Sequence, residues 1–187
     1  MVRTILQALA ACLVTFLICA VIYPATVWGI GQVVFHHQAE GSLIKRDGKV
    51  IGSELIAQPF ASEKYFQPRP SAVDYKADAA GGSNLGTKNP DLFKKVAERA
   101  TALKATPENP APTDLVTASG CGLDPDISPE GALYQASRVA TARKIPLEHV
   151  RNLIEQHTRR YGAIIGGPFR VNVLELNLAL DDEARKS

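Results

Sequence analysis

The sequence predicts a membrane-anchored α/β or α+β protein, in which a single N-terminal transmembrane helix precedes one extracytoplasmic domain. Its first 35 residues contain no charge from Thr4 to Phe35. Three later segments repeat apolar residues at helical spacing, which predicts about three helices. An Asp-Gly pair between two β-prone segments, and an apolar run near the C terminus, predict the strands of a small sheet.

The first apolar run extends from Ile5 to about Val27. About 20 apolar residues in a helix cross the hydrocarbon of a bilayer, so this run is long enough. A cleaved signal has a shorter core and small residues at its cleavage site, which are not clear here. Lipidation at Cys19 is a further alternative, but the branched Ile18 before it fits that modification poorly. We therefore expect an uncleaved anchor over residues 1–35.

Positive charge next to the span predicts its orientation. Arg3 and the α-amino group precede the run, whereas residues 29–40 contain no Lys or Arg. Because positive residues favour the cytoplasmic side, we expect a cytoplasmic amino terminus and a periplasmic or extracellular domain over residues 36–187 of a single-pass protein of the cell membrane.

Tyr23-Pro24 lies inside the outer half of the run. Proline removes a backbone donor and clashes with the preceding turn, so it ends or kinks a helix. Two interpretations stay open. Pro24 ends the span near the outer interface, or Tyr23 and Pro24 form a site where the helix packs against a membrane partner.

Composition limits the class of protein. The 187 residues accommodate one anchor and one domain of about 150 residues. Lys and Arg number 21 against 19 acidic residues, a balance that gives no support to nucleic-acid binding. Cys12 and Cys19 lie in the apolar run and Cys121 is alone in the outer domain, so a disulfide within that domain is not expected.

Turn signals organise the first half of the outer domain. Asp47-Gly48 separates two β-prone segments, residues 42–46 and 49–52, and predicts a hairpin because both turn residues accept positive φ. From Tyr65 to Gly86 the chain is rich in Pro, Gly, Ser and Asn, which predicts a loop. Loops of that length are frequently binding surfaces.

Helix signals follow. Asn89-Pro90 and Ser128-Pro129 each predict a helix start, and Pro146 predicts a third. A short strand is predicted at 115–117, and an apolar, buried strand at 171–178. Breaks are predicted at Gly162 and residues 166–168. The apolar faces expected to be buried are Leu92, Phe93, Val96, Ala97, Ala100 and Leu103 on the first helix, Ala132, Leu133, Ala136, Val139 and Ala140 on the second, and Leu147, Val150, Leu153 and Ile154 on the third.

Several catalytic and binding patterns are incomplete. The glycines of residues 81–86 are not followed by the Lys and hydroxyl residue that a phosphate loop requires. A Ser-x-x-Lys at 42–45 lies on a hairpin arm without the companion motifs of acyl-transfer enzymes. Asp124 and Asp126 resemble the start of a calcium loop, but later places hold Pro129 and Gln135. We therefore predict a protein without a catalytic or metal site of its own.

A series of short motifs runs along nearly the whole chain. In order they are Tyr23-Pro24, Gly41-Ser42-Leu43, Gly52-Ser53, Tyr65-Phe66, Arg69-Pro70-Ser71-Ala72, residues 81–86, Val116-Thr117-Ala118-Ser119, Gly122-Leu123-Asp124-Pro125, Ile127-Ser128-Pro129, Arg138-Val139-Ala140 and residues 171–177. Together these motifs resemble the C subunit of the Kdp potassium-transporting ATPase, a bacterial P-type pump complex. Two positions depart from the family pattern: Cys121, where the family usually has a small hydroxyl residue, and Pro168-Phe169, where it commonly has Glu-Pro.

This resemblance implies a non-catalytic accessory subunit of an ATP-driven, high-affinity potassium uptake pump. Its implied partners are a channel-like translocating subunit, a P-type ATP-hydrolysing subunit and the lipid bilayer. Nucleic acid is not among the expected partners. The family is credited with stabilising the complex and promoting ATP binding. Because ATP is cytoplasmic and no phosphate motif is present, we expect ATP and potassium to be handled by the complex, with any effect on ATP transmitted through the assembly.

We further expect the outer domain to lie near the external ion entrance, because its polar and Gly-rich motifs occur in loops rather than at periodic core positions. Asp74, Asp78, Asp124 or Asp126 would then bias the local potential toward potassium. The competing interpretation is a free-standing, membrane-anchored periplasmic enzyme or solute-binding protein, which would need a pocket with convergent polar groups. The candidate partner-facing residues are Arg69, Pro70, Ser71, Gly81, Gly82, Ser83, Asn84, Ser119, Leu123, Asp124, Pro125 and Asp126.

Overall fold

The computed structural model describes residues 1–160, 162 and 166–185 of the chain. Residues 161, 163–165 and 186–187, which fall within the predicted outer domain, lie outside this description. The chain divides into two compact units, Met1–Leu43 and Ile44–Ser187.

The first unit is dominated by one long helix. It consists of α1 (Val2–Phe16), a π-helical turn (Leu17–Ile22) and α2 (Tyr23–Val34), with a short α3 (His36–Ala39) after it. Within the continuous 33-residue stretch, the most apolar 18 residues have a mean hydropathy of 2.7 and none of them is buried. At 1.5 Å per residue it is about 50 Å long, and by length and composition it is able to cross a bilayer.

The helix does not end at Pro24. It continues for ten further residues, to Val34, so the interpretation in which proline ends the span is wrong. The reason lies in the preceding turn. Its π-helical hydrogen bonds shift the register, and Pro24 occupies the second position of α2, where an N–H has no partner within α2 itself.

The second unit opens with the predicted hairpin. Strand β1 (Leu43–Arg46) pairs with β2 (Lys49–Ser53). Both turn residues have positive φ, 52° at Asp47 and 75° at Gly48, as a two-residue hairpin turn requires. The hairpin prediction is confirmed.

A separate three-stranded antiparallel sheet forms the centre of this unit. Its order is β3 (Asp126–Ile127), β5 (Phe169–Asn172) and β4 (Thr158–Arg160), with β5 in the middle. Val171 of β5 is the partner of Ile127 on one side and of Thr158 on the other. This register directs Val171 and Ile127 into the core, where both are buried.

The described residues include four helices of 11 residues or more, which are α4 (Pro90–Ala102), α6 (Pro129–Arg143), α7 (Leu147–His157) and α8 (Val173–Ala184). Three of them, α6, α7 and α8, pack against the central strand of this sheet, so the fold is α+β. The two predicted caps are present. Asn89 Oδ1 accepts the Asp91 N–H, and Ser128 Oγ accepts the Gly131 N–H.

The core lies between α6, α7, α8 and β5. Helix α4 contributes less than its pattern predicts, since none of its residues is buried and Phe93 is 63% exposed. On α6, Leu133 is exposed, whereas the rest of its predicted face is buried. The buried core cluster consists of Phe66, Leu115, Ile127, Ala132, Ala136, Val139, Ala140, Val150, Leu153, Ile154, Val171, Val173, Leu176 and Leu180.

Two strand predictions are wrong. Residues 115–117 belong to a short helix, α5 (Thr113–Val116), with an extended Thr117 after it. Pro112 before it and an acidic residue in its first turn favour the helix. The break after α7 also comes early, because this helix ends at His157, before Gly162.

The second error is the apolar run at 171–178. Strand β5 ends at Asn172 and the remainder of the run begins α8. Asn172 Oδ1 accepts the N–H of Glu175, three residues on, which is the geometry of a helix cap. Burial then follows helical spacing, at Val173, Leu176 and Leu180.

Candidate functional site

Two loop segments, residues 69–86 and 117–126, lie against each other through their main chains; together they form what we call the paired-loop surface. The Ser119 N–H donates to the Pro70 carbonyl at 2.9 Å, and the Gly81 N–H donates to the Cys121 carbonyl at 2.8 Å. The structure therefore brings together the two stretches that contain most of the predicted partner-facing residues.

Glycines allow this close approach. A Cβ on Gly122 would lie 2.6 Å from Val73 Cγ2, and its φ of +72° is itself unfavourable for other residues. A Cβ on Gly82 would lie 2.8 Å from the Gly120 carbonyl oxygen. Of the glycines in residues 81–86, Gly82 therefore has a packing role, whereas a Cβ on Gly86 would meet nothing within 4 Å.

Side chains within the first segment hold its turn. Ser71 Oγ accepts the N–H groups of Val73 and Tyr75, at 3.1 and 3.0 Å. The Tyr75 hydroxyl donates to the Arg69 carbonyl at 2.9 Å. Burial raises the pKa of Tyr75, and the nearby Arg99 opposes this effect. Tyr75 therefore keeps its proton and serves as a donor.

The second segment is fixed from several sides. Ser119 is buried and its Oγ accepts the Gly122 N–H at 3.2 Å. Leu123 is buried, and its carbonyl accepts the Ala57 N–H at 2.9 Å. The Pro125 carbonyl accepts the Val173 N–H at 3.0 Å, which ties the segment to the start of α8.

Asp124 and Asp126 each lie within 4 Å of an arginine, but only Asp124 is closely paired. Arg69 Nη1 lies 3.1 Å from Asp124 Oδ2, and Asp124 Oδ1 accepts the Asp126 N–H. Arg170 Nη1 lies 3.9 Å from Asp126 Oδ2. Burial, followed by the charge of Asp124, raises the pKa of Asp126, and Arg170 acts in the opposite direction. These two carboxylates thus face guanidinium groups rather than open solvent.

The other predicted carboxylates differ. Asp74 and Asp78 are exposed, and Asp74 has a φ of +53° on a turn. Asn84 is exposed with a φ of +52°, and Ser83 is half-buried. The polar groups that the paired-loop surface presents to solvent are therefore those of residues 74–84 rather than those of residues 124–126.

Two buried amides hold the start of the first loop, a role that the sequence reasoning missed. Asn177 Oδ1 accepts the Phe66 N–H at 2.8 Å and its Nδ2 donates to the Phe66 carbonyl at 3.0 Å. Gln135 repeats this pattern with Gln67, at 2.8 and 3.1 Å. We call these four hydrogen bonds the amide clamp. Amide side chains at core positions of α6 and α8 were the signal in the sequence.

The membrane candidates Tyr23 and Pro24 belong to the first unit, in the long helix. Both are exposed on a helix that is long and apolar enough to cross a membrane. Their neighbour Thr26 donates its hydroxyl to the Ile22 carbonyl at 2.7 Å.

A cavity of about 650 Å³ opens on the second unit, away from the candidate residues. The cavity is lined by Lys64, Arg143, Ile145, Pro146, His149, Leu180, Glu183 and Ala184.

Among the residues that the structure describes, no group of three or more His, Cys, Asp and Glu side chains is placed to hold a metal ion.

Known proteins match nearly the whole chain. The family model described as "K+-transporting ATPase, c chain" matches residues 5–182. A potassium-transporting ATPase KdpC subunit from Geobacter metallireducens is 55% identical, over 93% of this chain and 95% of that protein. Proteins of the same name from Parvibaculum lavamentivorans and Mycobacterium tuberculosis are 52% and 50% identical, over 89% and 96% of this chain and 90% and 98% of theirs.

Proposed function

The chain belongs to the C-chain family of K⁺-transporting ATPases, and from this membership we propose that it is a non-catalytic accessory subunit of an ATP-driven potassium uptake pump. Its partners are the channel-like subunit that translocates potassium and the P-type subunit that hydrolyses ATP. The long apolar helix anchors it in the cell membrane, with the amino terminus cytoplasmic and residues 36–187 outside, which the position of Arg3 supports.

The structural observation that supports this proposal is the paired-loop surface. Its two segments are held by main-chain hydrogen bonds and by the amide clamp, so a surface without regular secondary structure is nevertheless fixed. Fixing a surface before binding lowers the entropy lost on association. Such a surface suits an accessory subunit that stabilises an assembly.

The same surface gives the outer domain a role near the external ion entrance. Asp124 is paired with Arg69, so the electrostatic contribution to potassium falls to the exposed Asp74 and Asp78. Exposed charges act over about 8 Å at physiological salt. Their effect is therefore a local increase in cation concentration rather than a binding site.

ATP binding is promoted indirectly. The nucleotide is cytoplasmic whereas this domain lies outside, so coupling passes through the assembled subunits. Linkage requires that an effect of this subunit on ATP affinity be matched by an equal effect of ATP on the affinity of this subunit for the complex.

The test is affinity isolation of the chain from mild detergent. We expect two larger membrane proteins to co-purify, one of which hydrolyses ATP when potassium is added. Recovery of the chain alone would instead favour the anchored enzyme or solute-binding protein, for which the 650 Å³ cavity is the available pocket.

The electrostatic part is tested separately in the assembled complex. Replacing both Asp74 and Asp78 by Asn should raise the potassium concentration for half-maximal ATPase activity about twofold at low salt, with the difference vanishing at high salt. The matched control is Asp47→Asn, an exposed carboxylate with similarly positive φ in the hairpin turn. Equal potassium dependence in wild type and double variant would contradict the electrostatic role.

A further inference from the structure

The cavity of about 650 Å³ lies where three helices of the outer domain meet. Arg143 ends α6, Pro146 is the N-cap of α7, and Glu183 lies in the last turn of α8. Lys64, from the loop before Phe66, also lines the cavity. Ligand pockets in proteins have volumes of about 300–1,000 Å³ and a largely apolar lining with a few polar groups. This cavity is therefore large enough for a small organic molecule.

One part of the cavity wall is apolar and is held by the core. Leu180 is 2% exposed and belongs to the core cluster, and Ile145 packs against that cluster. Pro146 and Ala184 contribute further apolar surface. An apolar group that leaves water to lie against such a wall gains free energy in proportion to the area it buries. The cavity therefore favours a ligand with an apolar body.

The Arg143 guanidinium is already engaged within the wall. Its Nε donates to the Lys64 carbonyl at 2.7 Å, and its Nη1 donates to the Leu180 carbonyl at 3.2 Å. Its Nη2 lies 2.8 Å from Asp181 Oδ1, and the side chain is 9% exposed. Because Asp181 balances its charge, Arg143 holds the wall together and is not the group that attracts a charged ligand.

The carboxylates of this region are paired as well. Glu183 Oε2 forms a hydrogen bond with His149 Nε2. Asp181, which contacts the wall through Arg143, also accepts a hydrogen bond from the Tyr65 hydroxyl. A cationic ligand would have to compete with these partners for a carboxylate. The wall therefore disfavours cations.

Lys64 supplies the remaining charge of the wall. Its N–H donates to Ser62 Oγ at 3.3 Å, and its carbonyl accepts the Arg143 Nε–H at 2.7 Å, so the base of its side chain is fixed beside the cavity. The residue is exposed, and within the described part of the chain its ammonium group has no ion-pair partner. An ammonium group held in this way is available for a charge-assisted hydrogen bond to an anion.

We propose that this cavity binds a small amphipathic carboxylate, whose apolar body lies against Ile145 and Leu180 and whose carboxylate pairs with the Lys64 ammonium. The inference goes beyond the proposed function, because it gives the outer domain a ligand site of its own. It needs no other subunit, so its failure leaves the proposed function unaffected.

The first experiment titrates hexanoate into the full chain in mild detergent and follows the backbone amides by NMR. We expect the amides of Lys64, Ile145 and His149 to shift together, with half-saturation at about 1–10 mM for a ligand of this size. Butanoate, which is two methylenes shorter, should bind about threefold to fifteenfold more weakly, because each buried methylene contributes to affinity. Shifts that are scattered away from the cavity, or equal affinity for the two acids, would overturn the proposal.

The second experiment tests the charge, from the side of the ligand and from the side of the protein. Hexylammonium has the same apolar chain with the opposite charge and should not reach half-saturation in the range where hexanoate does. Lys64→Gln keeps both main-chain hydrogen bonds of residue 64 and should weaken hexanoate binding about twofold to fivefold, as expected for an exposed ion pair. Lys94→Gln is the matched control, since Lys94 is exposed on α4 and does not line the cavity. Equal binding of hexylammonium and hexanoate, or equal hexanoate binding by Lys64→Gln and Lys94→Gln, would show that the assignment of an anion to this cavity is wrong.

Discussion

The amide of Asn177 is expected to be indispensable to the outer domain. Asn177 is 1% exposed, and its two polar atoms bond both main-chain groups of the buried Phe66. Replacing it with Ala removes both partners at once. The Phe66 N–H and carbonyl would then be buried without hydrogen bonds.

Each such group costs about 1–3 kcal/mol when it is left unsatisfied. The pair gives a range of about 2–6 kcal/mol, and we expect a value near 3 kcal/mol because the loop can shift toward water. For a unit of this size, 1 kcal/mol corresponds to about 2–4 °C in Tm. The expected decrease in Tm is therefore about 6–12 °C.

The assay is thermal unfolding of the full chain in mild detergent, monitored by circular dichroism. Asn152→Ala is the control, because Asn152 is exposed on α7. Amide hydrogen exchange provides a local measurement, in which Phe66 should lose protection. The expected decrease in Tm is at least about 6 °C. A decrease of less than about 1 °C, together with unchanged hydrogen exchange at Phe66, would refute the role of the amide clamp.

The remaining predictions use the same unfolding assay. Gly122→Ala should cost at least about 2 kcal/mol, because φ is +72° and the new Cβ would lie 2.6 Å from Val73; an unchanged Tm would contradict this account of the paired loops. Arg143→Lys should cost about 2 kcal/mol despite its conserved charge, since Arg143 makes three hydrogen bonds and lies over the Tyr65 ring; full retention of stability would show that charge alone suffices. Asp126→Asn should stabilise the domain near neutral pH and not in acid. The raised pKa of Asp126 means that its stabilising contribution is present below the unfolded value of 3.8 and is lost as pH rises through the folded pKa, so equal Tm differences at pH 4 and pH 7 would exclude it.

Local signals in the sequence located most elements because their physics is local. Asn89 and Ser128 accept the N–H groups that start α4 and α6, and Asp47-Gly48 adopts the positive φ values of its turn. A cap or a two-residue turn needs no distant partner to be recognised. These predictions were confirmed.

The predictions of secondary structure and burial were wrong where contacts between residues far apart in the sequence determine the structure. Leucines at 174, 176, 178 and 180 alternate as in a strand, but the cap at Asn172 and the helical spacing of the buried positions give α8. Likewise, residue 66 was predicted in a surface loop, but Phe66 is 0% exposed because its side chain packs in the core cluster. Asn177, 111 residues away, bonds its main chain there.

For the candidate residues too, local sequence predicted only part of the arrangement, and long-range packing determined the rest. That the segments around Arg69 and Asp124 meet could be inferred only from their clustering in loops. The sequence contained no indication that Arg69 would neutralise Asp124, because this ion pair spans 55 residues. Which carboxylates remain exposed was therefore decided by tertiary packing.

The amide clamp grips main-chain atoms, which every residue type other than proline possesses. The start of the loop is thus anchored at Phe66 and Gln67 by groups that do not depend on the side chains further along residues 69–86. Substitutions in that loop can alter what it recognises while leaving its attachment intact. During evolution, the side chains of residues 69–86 can therefore change together with those of a binding partner. The hydrogen bonds that anchor the loop stay the same, and the fold of the domain is kept.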